Sequence, residues 1–415
     1  MNSRTIACPT PLNKAPAAAR NTLRLLDRLQ HGHLTVQLPD GTVQLFGQPQ
    51  ERNTTPRATV TLHNWNVCAA TLKSGDIGLA ESFIAGDWST PNLTELLKLF
   101  IRNRQQLEVV IYGSWAGRTL YRLKHWLNRN TRSNSQKNVH AHYDLGNAFY
   151  QLWLDDTMNY SSAWFDGDHG KSMREAQNAK VHRALRMAKV RPGDRVLEIG
   201  CGWGALAEMA VTQFQAGVTG VTLSTEQLAF ARQRMAPLAS ADAAAPAVDL
   251  RLQDYRDIQD GPYDAICSIE MVEAVGRQFW PTYFQSVYRL LKPGGRACIQ
   301  SIVIDDSLFD RYIRSSDFIQ QYIFPGGCLP CPREFRCAAA AAGLQVVDEL
   351  AFGQDYAETL RRWRQDFLHQ REAVTALGFD TRFMRIWEFY LSYCEAAFDM
   401  GNINLVQYTL VKPTP

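Results

Sequence analysis

A glycine-rich turn follows a short apolar run near the middle of the chain, in the sequence RVLEIGCGWGALAEMA. Its glycines are Gly200, Gly202 and Gly204, and the residues after them read as a helix. A strand, a glycine turn and a helix together are typical of a site where a nucleotide approaches the backbone closely. The turn therefore predicts a bound dinucleotide, phosphate or other adenosine-bearing cofactor, and the residues around it decide which.

Acidic residues near the turn argue against a dinucleotide. Such a site expects an acid at the end of the second strand, about 20 residues on, to hold a ribose, whereas that strand ends in the sequence TLS. Glu198 instead lies two residues before the first glycine, and Asp254 ends the third strand. Acids at these two positions are the layout of S-adenosylmethionine-dependent methyltransferases.

The chemistry of S-adenosylmethionine suits these residues. It has no pyrophosphate, so the glycines serve close backbone approach rather than phosphate binding. We expect Asp254 to accept a hydrogen bond from the adenine amino group and Glu198 to orient the amino-acid part. Gln227 and the hydroxyls of Thr222 and Ser224 take the place of the missing acid at the ribose. The predicted cofactor residues are Tyr160, Ser161, Glu198, Gly200, Cys201, Gly202, Trp203, Gly204, Thr222, Leu223, Ser224, Gln227, Asp254 and Tyr255.

The elements that must position these residues alternate between strands and helices from about residue 180 onward. This alternation predicts an α/β fold, a doubly wound parallel sheet with ligands at the carboxyl ends of its strands. We assign residues 131–415 to a Rossmann-like class I methyltransferase domain. Apolar alternation between residues 31 and 75 predicts antiparallel strands, in a smaller N-terminal α+β domain over residues 1–130 whose start we expect to be disordered.

Basic residues are concentrated before and across the domain boundary. They are Arg102, Arg104, Arg118, Arg122, Lys124, Arg129, Arg132 and Lys137, interleaved with Trp115, Tyr121 and Trp126. We call residues 102–137 the basic aromatic segment. A solvated helix face explains its composition, and so does a surface that docks on anionic lipid headgroups. The second interpretation predicts a lipid-docking domain and a cytoplasmic protein peripheral at the inner membrane face.

Several stretches outside the glycine turn resemble the cyclopropane fatty acid synthase family, which includes the mycolic acid cyclopropane synthases. They are HYDLGNAFYQLWLDDTMNYSSAWF, SIEMVEAVG, DFIQQYIFPGGCLP and FGQDYAETLRRW, and the resemblance runs from about residue 130 to 410. It implies inserted lipid-binding helices and transfer of the sulfonium methyl to the double bond of an unsaturated acyl chain on a membrane phospholipid. Loss of a proton would then give a cyclopropane fatty acid.

The resemblance also implies a bound bicarbonate that removes the proton. Its ligands would be Glu273, Tyr356, Gln300, and backbone groups of Ser162 and Ile302. Gln300 stands where the family has a histidine, and Ser162 where it has a cysteine. Glutamine can donate a hydrogen bond to an anion but cannot relay a proton. These changes raise an alternative product, a methylene- or methyl-branched chain made with the same cofactor and substrate class.

Other candidates have weaker arguments. Glu270 would share a helical face with Glu273, but we expect it to be a partly solvated surface carboxylate. Cys394 matches a family cysteine sometimes regarded as reactive, and we interpret it as a packing residue because no step needs a thiol nucleophile. Asp355 is expected at the site beside Tyr356. Aromatic side chains could face a carbocation with their π electrons or pack in the core; they are Tyr143, Phe149, Tyr150, Trp153, Tyr160 and Trp164.

The composition excludes several classes of protein. A net charge of +3 does not predict nucleic-acid binding. The sequence contains no apolar run of about 18 residues, so we expect no transmembrane helix. The N-terminus has no continuous apolar region, so no secretory signal is expected. Nine cysteines, spread through apolar segments, indicate free thiols in a reducing cytoplasm. The pair Cys328 and Cys331 lacks partners for zinc, so we expect no metal.

Two other functions are consistent with the same motifs. Some plant N-methyltransferases look like this family, so methylation of a small amine is an alternative. That function would give the basic aromatic segment no role. A lipid-binding protein that has lost turnover is the second, and the intact Glu273 and Tyr356 speak against it. The sequence does not determine the double-bond position or the preferred headgroup. It also does not determine the oligomeric state, for which a homodimer is one alternative.

Overall fold

The computed structural model describes residues 15–47, 57–107, 134, 145–238 and 246–414. The helices in these ranges are α1 (Ala17–Leu26), α2 (Asn66–Ala85), α3 (Leu93–Arg102), α4 (Asn147–Gln151), α5 (Met173–Met187), α6 (Ala205–Thr212), α7 (Thr225–Met235), α8 (Val272–Val275), α9 (Trp280–Leu290), α10 (Asp306–Tyr312), α11 (Phe318–Tyr322), α12 (Pro332–Ala341), α13 (Gly353–His369), α14 (Arg371–Ala376) and α15 (Thr381–Asp399). The strands are β1 (His33–Gln37), β2 (Val43–Gly47), β3 (Arg57–Leu62), β4 (Trp88–Ser89), β5 (Arg195–Ile199), β6 (Gly217–Thr222), β7 (Val248–Leu252), β8 (Tyr263–Ile269), β9 (Leu291–Ile304), β10 (Gln345–Ala351) and β11 (Ile403–Val411).

A seven-stranded sheet forms the centre of the molecule, in the order β10-β11-β9-β8-β5-β6-β7. Strand β11 runs antiparallel to both of its neighbours, and the pairs from β9 to β7 are parallel. The chain order reverses direction at β5, which lies between β6 and β8, and ligands of such sheets bind at this switch point. The predicted doubly wound, Rossmann-like fold is confirmed.

The strands of this sheet are apolar because helices cover both of its faces. In β5, every residue after Arg195 is buried, and β8 is buried through its centre. The helices that follow begin where the sequence supplies a cap. Ser172 and Glu175 form a capping box at the start of α5, and the Ser224 hydroxyl accepts from the Gln227 amide at the start of α7.

A four-stranded sheet in the order β2-β1-β3-β4 lies in the N-terminal part of the chain. The hairpin of β1 and β2 is antiparallel, as predicted. The prediction of antiparallel strands is wrong for β3, which pairs with β1 in parallel, and it also extended too far, since α2 begins at Asn66. Alternation at period two is the same for either direction of a neighbouring strand, so the pattern could not specify it.

The N-terminal helices pack on the C-terminal ones. Phe83 of α2 lies 5.8 Å from Phe389 of α15 between ring centroids, and Lys98 of α3 pairs with Asp399 at 2.9 Å. A single apolar cluster includes residues from both parts of the chain. The division into domains at residue 130 stays a prediction, and the chain around it lies outside the described residues. None of the helices described is both long enough and apolar enough to cross a bilayer.

We expect Glu395→Ala to reduce the free energy of unfolding by about 2 kcal/mol or more. The Glu395 carboxylate is 3% exposed and accepts hydrogen bonds from Thr94 at 3.0 Å, Arg361 at 3.1 Å and Arg364 at 3.0 Å. Removing it takes an acceptor from the Thr94 hydroxyl and from two guanidinium groups, of which Arg361 keeps its pairs with Glu358 and Asp399. Urea denaturation measures the change.

The matched control is Glu349→Ala, which removes a carboxylate paired with Arg336 on a surface where the arginine side chain is 50% exposed. Its effect should stay within about 0.5 kcal/mol, because solvent screens exposed pairs. Equal effects of the two substitutions would show that the buried network contributes nothing special.

Candidate active site

A cavity of about 500 Å³ opens at the carboxyl ends of β5, β6 and β8. All of the predicted cofactor residues line it except Gly204 and Ser224. Those two residues shape the site from behind. Gly204 precedes α6 with a φ of +85°, where a Cβ atom would lie 3.0 Å from Ala231 of α7, and Ser224 caps α7.

The glycine turn is held against β6 and is open toward the cavity. The amides of Gly200 and Cys201 both donate to the carbonyl of Val221, at 2.9 and 3.0 Å. Gly202 has a φ of +51°, and a Cβ atom built there would meet nothing within 4 Å. Ligand atoms can therefore approach the backbone of the turn closely, as the sequence predicts.

Glu198 lies beneath this turn and has one unsatisfied oxygen. The residue is 4% exposed, burial raises the pKa of its carboxyl to about 8, and Oε2 has no hydrogen-bond partner. Lys180, which the sequence reasoning missed, is fully buried nearby and donates to the Ser161 hydroxyl. Burial lowers the pKa of Lys180 to about 8, and the charges of Glu270, Asp155 and Glu198 oppose that shift.

These groups fit the amino-acid end of S-adenosylmethionine. A buried carboxylate oxygen without a partner calls for a donor such as an ammonium group, and a buried lysine suits a carboxylate. The sequence carried one signal for Lys180. It lies on the face of α5 that also buries Ala176 and Gln177, at helical spacing.

The predicted ribose and adenine residues lie together further along the cavity. The Thr222 hydroxyl donates to Gln227 at 3.0 Å, which places both at the end of β6. Asp254 accepts from the Arg256 guanidinium, with Nε at 2.8 Å, and its pair with Arg256 adjoins Tyr255. Their contact with the cofactor stays a prediction, to which the lining of this cavity adds support.

Glu270 is the residue whose position the sequence reasoning got wrong. It lies inside the protein and lines the cavity, with three donors on its carboxylate. The Tyr356 hydroxyl donates to Oε2 at 2.6 Å, while the Ser162 amide and the Gln300 side chain donate to Oε1 at 2.9 and 2.8 Å. The expectation of a surface carboxylate assumed a helical turn, but Glu270 has a φ of +52° and α8 begins only at Val272.

A chain of hydrogen bonds fixes the orientation of the Gln300 amide. Arg183 can only donate, and it donates to Gln407 Oε1 at 2.7 Å. Gln407 pairs with Gln300 across β11 and β9, and its amide nitrogen donates to Gln300 Oε1 at 2.9 Å. The nitrogen of Gln300 therefore faces Glu270, so this glutamine is a donor there and not a proton acceptor.

Glu273 also lines the cavity, close to Glu270. It accepts from the Ile302 amide through Oε1, and Oε2 has no hydrogen-bond partner. Burial and then the charge of Glu270 raise the pKa of Glu273 to about 8. The raised pKa favours the protonated form of this carboxyl in the ligand-free protein.

The residues assigned to bicarbonate do not offer it an open set of donors. Ser162 and Gln300 lie behind Glu270 and are not part of the cavity lining. Together with Tyr356 they already donate to a carboxylate of the chain itself. Ile302 likewise donates its amide to Glu273. Three of the assigned groups thus converge as the resemblance implies, but around Glu270.

The aromatic wall differs in membership from the expected one. Phe149, Tyr150 and Trp153 are buried in the core and pack edge-on or tilted against one another. Of the expected rings in the described residues, Tyr160 lines the cavity and Trp164 does not, while Tyr143 lies outside those residues. Other rings complete the wall: Trp203, Phe324, Tyr356, Tyr390, Tyr393 and Phe398.

Two further candidates have identifiable surroundings. Cys394 lines the cavity, and burial raises the pKa of its thiol, which disfavours the thiolate and agrees with a packing role. Asp355 does not line the cavity. It accepts from the amides of Phe165 at 2.8 Å and Asp166 at 3.3 Å, and so holds the loop that presents the Ser162 amide.

The N-terminal part of the chain forms one wall of the cavity, which the sequence reasoning did not anticipate. The contributing residues are Asp76, Leu79, Leu97, Phe100, Ile101 and Arg104. Arg102 and Arg104 belong to the basic aromatic segment, and its residues 108–133 and 135–137 lie outside the described ranges. The amphipathic pattern of α3 signalled an apolar face but not its partner.

A family model described as mycolic acid cyclopropane synthetase matches residues 130–408. The chain belongs to this family. It is 36% identical to the tuberculostearic acid methyltransferase UfaA1 of Mycobacterium tuberculosis, over 98% of this chain and 93% of that protein. It is 33% identical to the cyclopropane-fatty-acyl-phospholipid synthase of Escherichia coli (strain K12), over 84% and 87% of the two chains.

Solved structures agree with this membership. The mycolic acid cyclopropane synthase CmaA1, complexed with SAH and CTAB, superposes with a TM-score of 0.61 at 31% identity, covering 66% of this chain and 97% of that one. The protein is an S-adenosylmethionine-dependent methyltransferase that acts on lipid. The predicted family, enzyme class and cofactor are confirmed; the product is not fixed by these similarities.

We expect the free energy of unfolding of the ligand-free protein to fall as the pH rises from about 5 to about 8. Burial raises the pKa of Glu198 and Glu273 from the usual 4.5 to about 8. A carboxyl whose pKa is higher in the folded state than in the unfolded state stabilises the fold at a pH below its pKa in the unfolded state. This stabilisation is lost as the pH rises through its pKa in the folded state. Glu273→Gln should reduce the fall, because a glutamine cannot ionise.

Denaturant unfolding at several pH values in this window measures the effect, with Glu372→Gln on the exposed surface of α14 as the control. A fall of the same size in wild type and Glu273→Gln would contradict the assignment of a raised pKa to Glu273.

Proposed function

We propose that the enzyme transfers a methyl group to the double bond of an unsaturated acyl chain carried on a membrane phospholipid, and that the resulting cation then loses a proton. One observation carries this proposal: the glycine turn, the Glu270 carboxylate and a long apolar wall line the same cavity. S-adenosylmethionine supplies the electrophilic methyl group when it is bound. The chain's own residues must position the alkene, exclude water and accept the proton.

An alkene is a weak nucleophile, so placement of the reacting carbon must supply most of the rate acceleration. Tyr160 and Tyr390 hold each other through their hydroxyls at 2.8 Å, which fixes two ring faces on the cavity wall. Such faces stabilise a passing cation by about 0.5–2 kcal/mol each. The apolar lining also keeps water away from the cation, which water would otherwise capture.

The acyl chain is proposed to lie along the wall formed by α2 and α3. Leu79, Leu97, Phe100 and Ile101 supply apolar surface there, and Arg104 adds a cation to the same wall. A phospholipid has a matching division into an apolar chain and an anionic headgroup. This division supports the lipid-docking interpretation of the basic aromatic segment and a peripheral location at the inner membrane face.

For the product, we propose a methylene-branched chain, with a cyclopropane as the second candidate. Both lose a proton from the transferred methyl group. Direct loss closes the ring, whereas a hydride shift before the loss gives the branched alkene. The relative that matches 98% of this chain is named a methyltransferase, which favours branching. The similarity to the cyclopropane-fatty-acyl-phospholipid synthase of Escherichia coli, over 84% of this chain, supports a cyclopropane as the second candidate product.

Incubation with methyl-labelled S-adenosylmethionine and vesicles of an unsaturated phospholipid should place label in the released fatty acids. NMR should detect vinylidene protons, because mass alone does not separate two products that each gain one CH2. Ring protons far upfield would replace the branched proposal by the cyclopropane one. Label in a small amine, and none in lipid, would support the amine alternative instead.

We expect Ile101→Trp to reduce turnover of a long-chain substrate by about tenfold or more, since the larger ring narrows the proposed acyl path. Binding of S-adenosylhomocysteine should be unchanged, because Ile101 lies on α3 and is not one of the predicted cofactor residues. Calorimetry and product formation measure the two effects.

Leu377→Trp is the matched control, since Leu377 is 45% exposed and lies on the surface after α14. Turnover of Ile101→Trp equal to that of Leu377→Trp would rule out an acyl path along α3.

A further inference from the structure

We propose that Glu270 is the catalytic base, a carboxylate built into the chain that does the work of a dissolved anion such as bicarbonate. The proposal rests on the proposed function, because it assigns the acceptor of the proton that the methylated cation loses. It starts from the convergence of the Ser162 amide, Gln300 and Tyr356 on one carboxylate in the cavity.

The donors around Glu270 define its protonation state. A backbone amide and an oriented side-chain amide can only donate to it. Burial and the charge of Glu270 raise the pKa of Tyr356, so that the phenol keeps its proton and donates as well. Three donors directed at one carboxyl group favour its ionised form.

The same surroundings keep the carboxylate basic. Burial raises the pKa of Glu270 above its usual value, while Tyr356, Lys180, the Ser162 amide and Gln300 each oppose that rise. A carboxylate with a raised pKa is a better proton acceptor than one in water, provided that it stays ionised. The donors thus favour the ionised form, while burial favours uptake of a proton.

The other carboxylates of the cavity are less suited to this step. Burial and the charge of Glu270 raise the pKa of Glu273 to about 8, which favours its protonated form. Glu198 lies under the cofactor turn, and Asp254 is paired with Arg256. Asp76 belongs to the N-terminal wall and accepts from the Tyr393 hydroxyl at 2.9 Å. Asp317 caps α11 by accepting from the Gln320 amide at 2.9 Å. Glu270 lines the cavity and is the carboxylate on which the Ser162 amide, Gln300 and Tyr356 converge.

The backbone at Glu270 is held in an uncommon conformation. Its φ of +52° lies in the left-handed region, which is unfavourable for a residue with a side chain. The Glu270 amide donates to the Gln300 carbonyl at 2.8 Å, so Gln300 binds both the main chain and the side chain of this residue. Strain of this kind persists where the surrounding structure fixes a functional group.

In the proposed reaction the π electrons of the alkene form the new C–CH3 bond while the S–CH3 bond breaks. The electron pair of the broken bond stays on sulfur, which leaves as the thioether of S-adenosylhomocysteine, and a positive charge remains on the neighbouring carbon. A C–H bond of the transferred methyl then breaks, and its electron pair forms the bond that closes the cyclopropane ring. If a hydride first shifts from the methyl-bearing carbon to the cationic carbon, the same electron pair instead forms the C=CH2 double bond of the branched chain. The proton goes to an oxygen of Glu270 and passes to solvent before the next turnover.

The first test measures turnover of the wild-type protein with labelled S-adenosylmethionine and unsaturated vesicles, in CO2-depleted buffer and again with bicarbonate added. We expect equal turnover in the two buffers. A loss on depletion that bicarbonate restores would overturn the proposal while leaving the proposed function intact. Wild-type protein that labels no lipid in either buffer would count against the proposed function instead.

The second test uses Glu270→Gln, which keeps the size of the side chain and removes its charge. We expect turnover to fall by about 100-fold or more and S-adenosylhomocysteine affinity to stay within about threefold. Turnover close to wild type would exclude Glu270 as the base. Glu349→Gln, on the surface, is the control for replacing a glutamate by glutamine.

The third test asks whether the donors form an anion cradle, and it needs no lipid. In Glu270→Ala the three donors lose their carboxylate, so formate should raise the melting temperature of this variant and not of the wild type. Formate should also restore part of its turnover. Absence of both effects in a folded variant that binds S-adenosylhomocysteine would overturn the proposal; if the variant does not fold, Glu270→Gln and the bicarbonate test decide.

Discussion

The carboxylate of Glu270 receives hydrogen bonds from three separated parts of the chain. Ser162 belongs to the loop before α5, Gln300 to β9 and Tyr356 to α13. Taking a charge out of water is costly unless donors replace the water, so these parts must stay in register for the site to exist. Much of the architecture around the cavity can be understood as support for this one ion.

The support extends beyond the donors themselves. Asp355 holds the amide of Phe165, and the Thr359 hydroxyl accepts from the amide of Ala163 at 3.1 Å, so α13 fixes the loop that carries Ser162. Arg183 also donates to Asp348 at 2.8 Å, which anchors the chain of amides that orients Gln300. Groups with fixed positions lose little entropy when the reaction occurs, and this is what preorganisation means in structural terms.

The sequence predicts the parts of this site that depend on local patterns. The glycine turn, the alternation of strands and helices, and the acids at the ends of β5 and β7 are local features, and they led to the correct fold and cofactor class. The environment of Glu270 is not local. It depends on a left-handed residue and on donors 30 to 108 positions away in the chain, and helical spacing from Glu273 therefore gave the wrong surroundings.

The positions of the aromatic residues could not be predicted from local sequence either. The run that contains Phe149, Tyr150 and Trp153 has the composition of a substrate wall, but the structure uses these rings to pack against Trp387 of α15. Composition cannot distinguish the two uses, because a cavity wall and a core require the same side chains. Only the position of the next layer, here supplied by α15, decides which rings face the ligand.

Helix α15 connects the catalytic and the N-terminal parts through its two faces. Tyr390, Cys394 and Phe398 recur at a spacing of four and line the cavity, whereas Glu395 and Asp399 reach Thr94 and Lys98 of α3. A shift of α3 relative to α15 would therefore move the cavity wall that α15 forms. The N-terminal part accordingly contributes to the cavity, and its loss would open to water the place where the proposed reaction forms a carbocation.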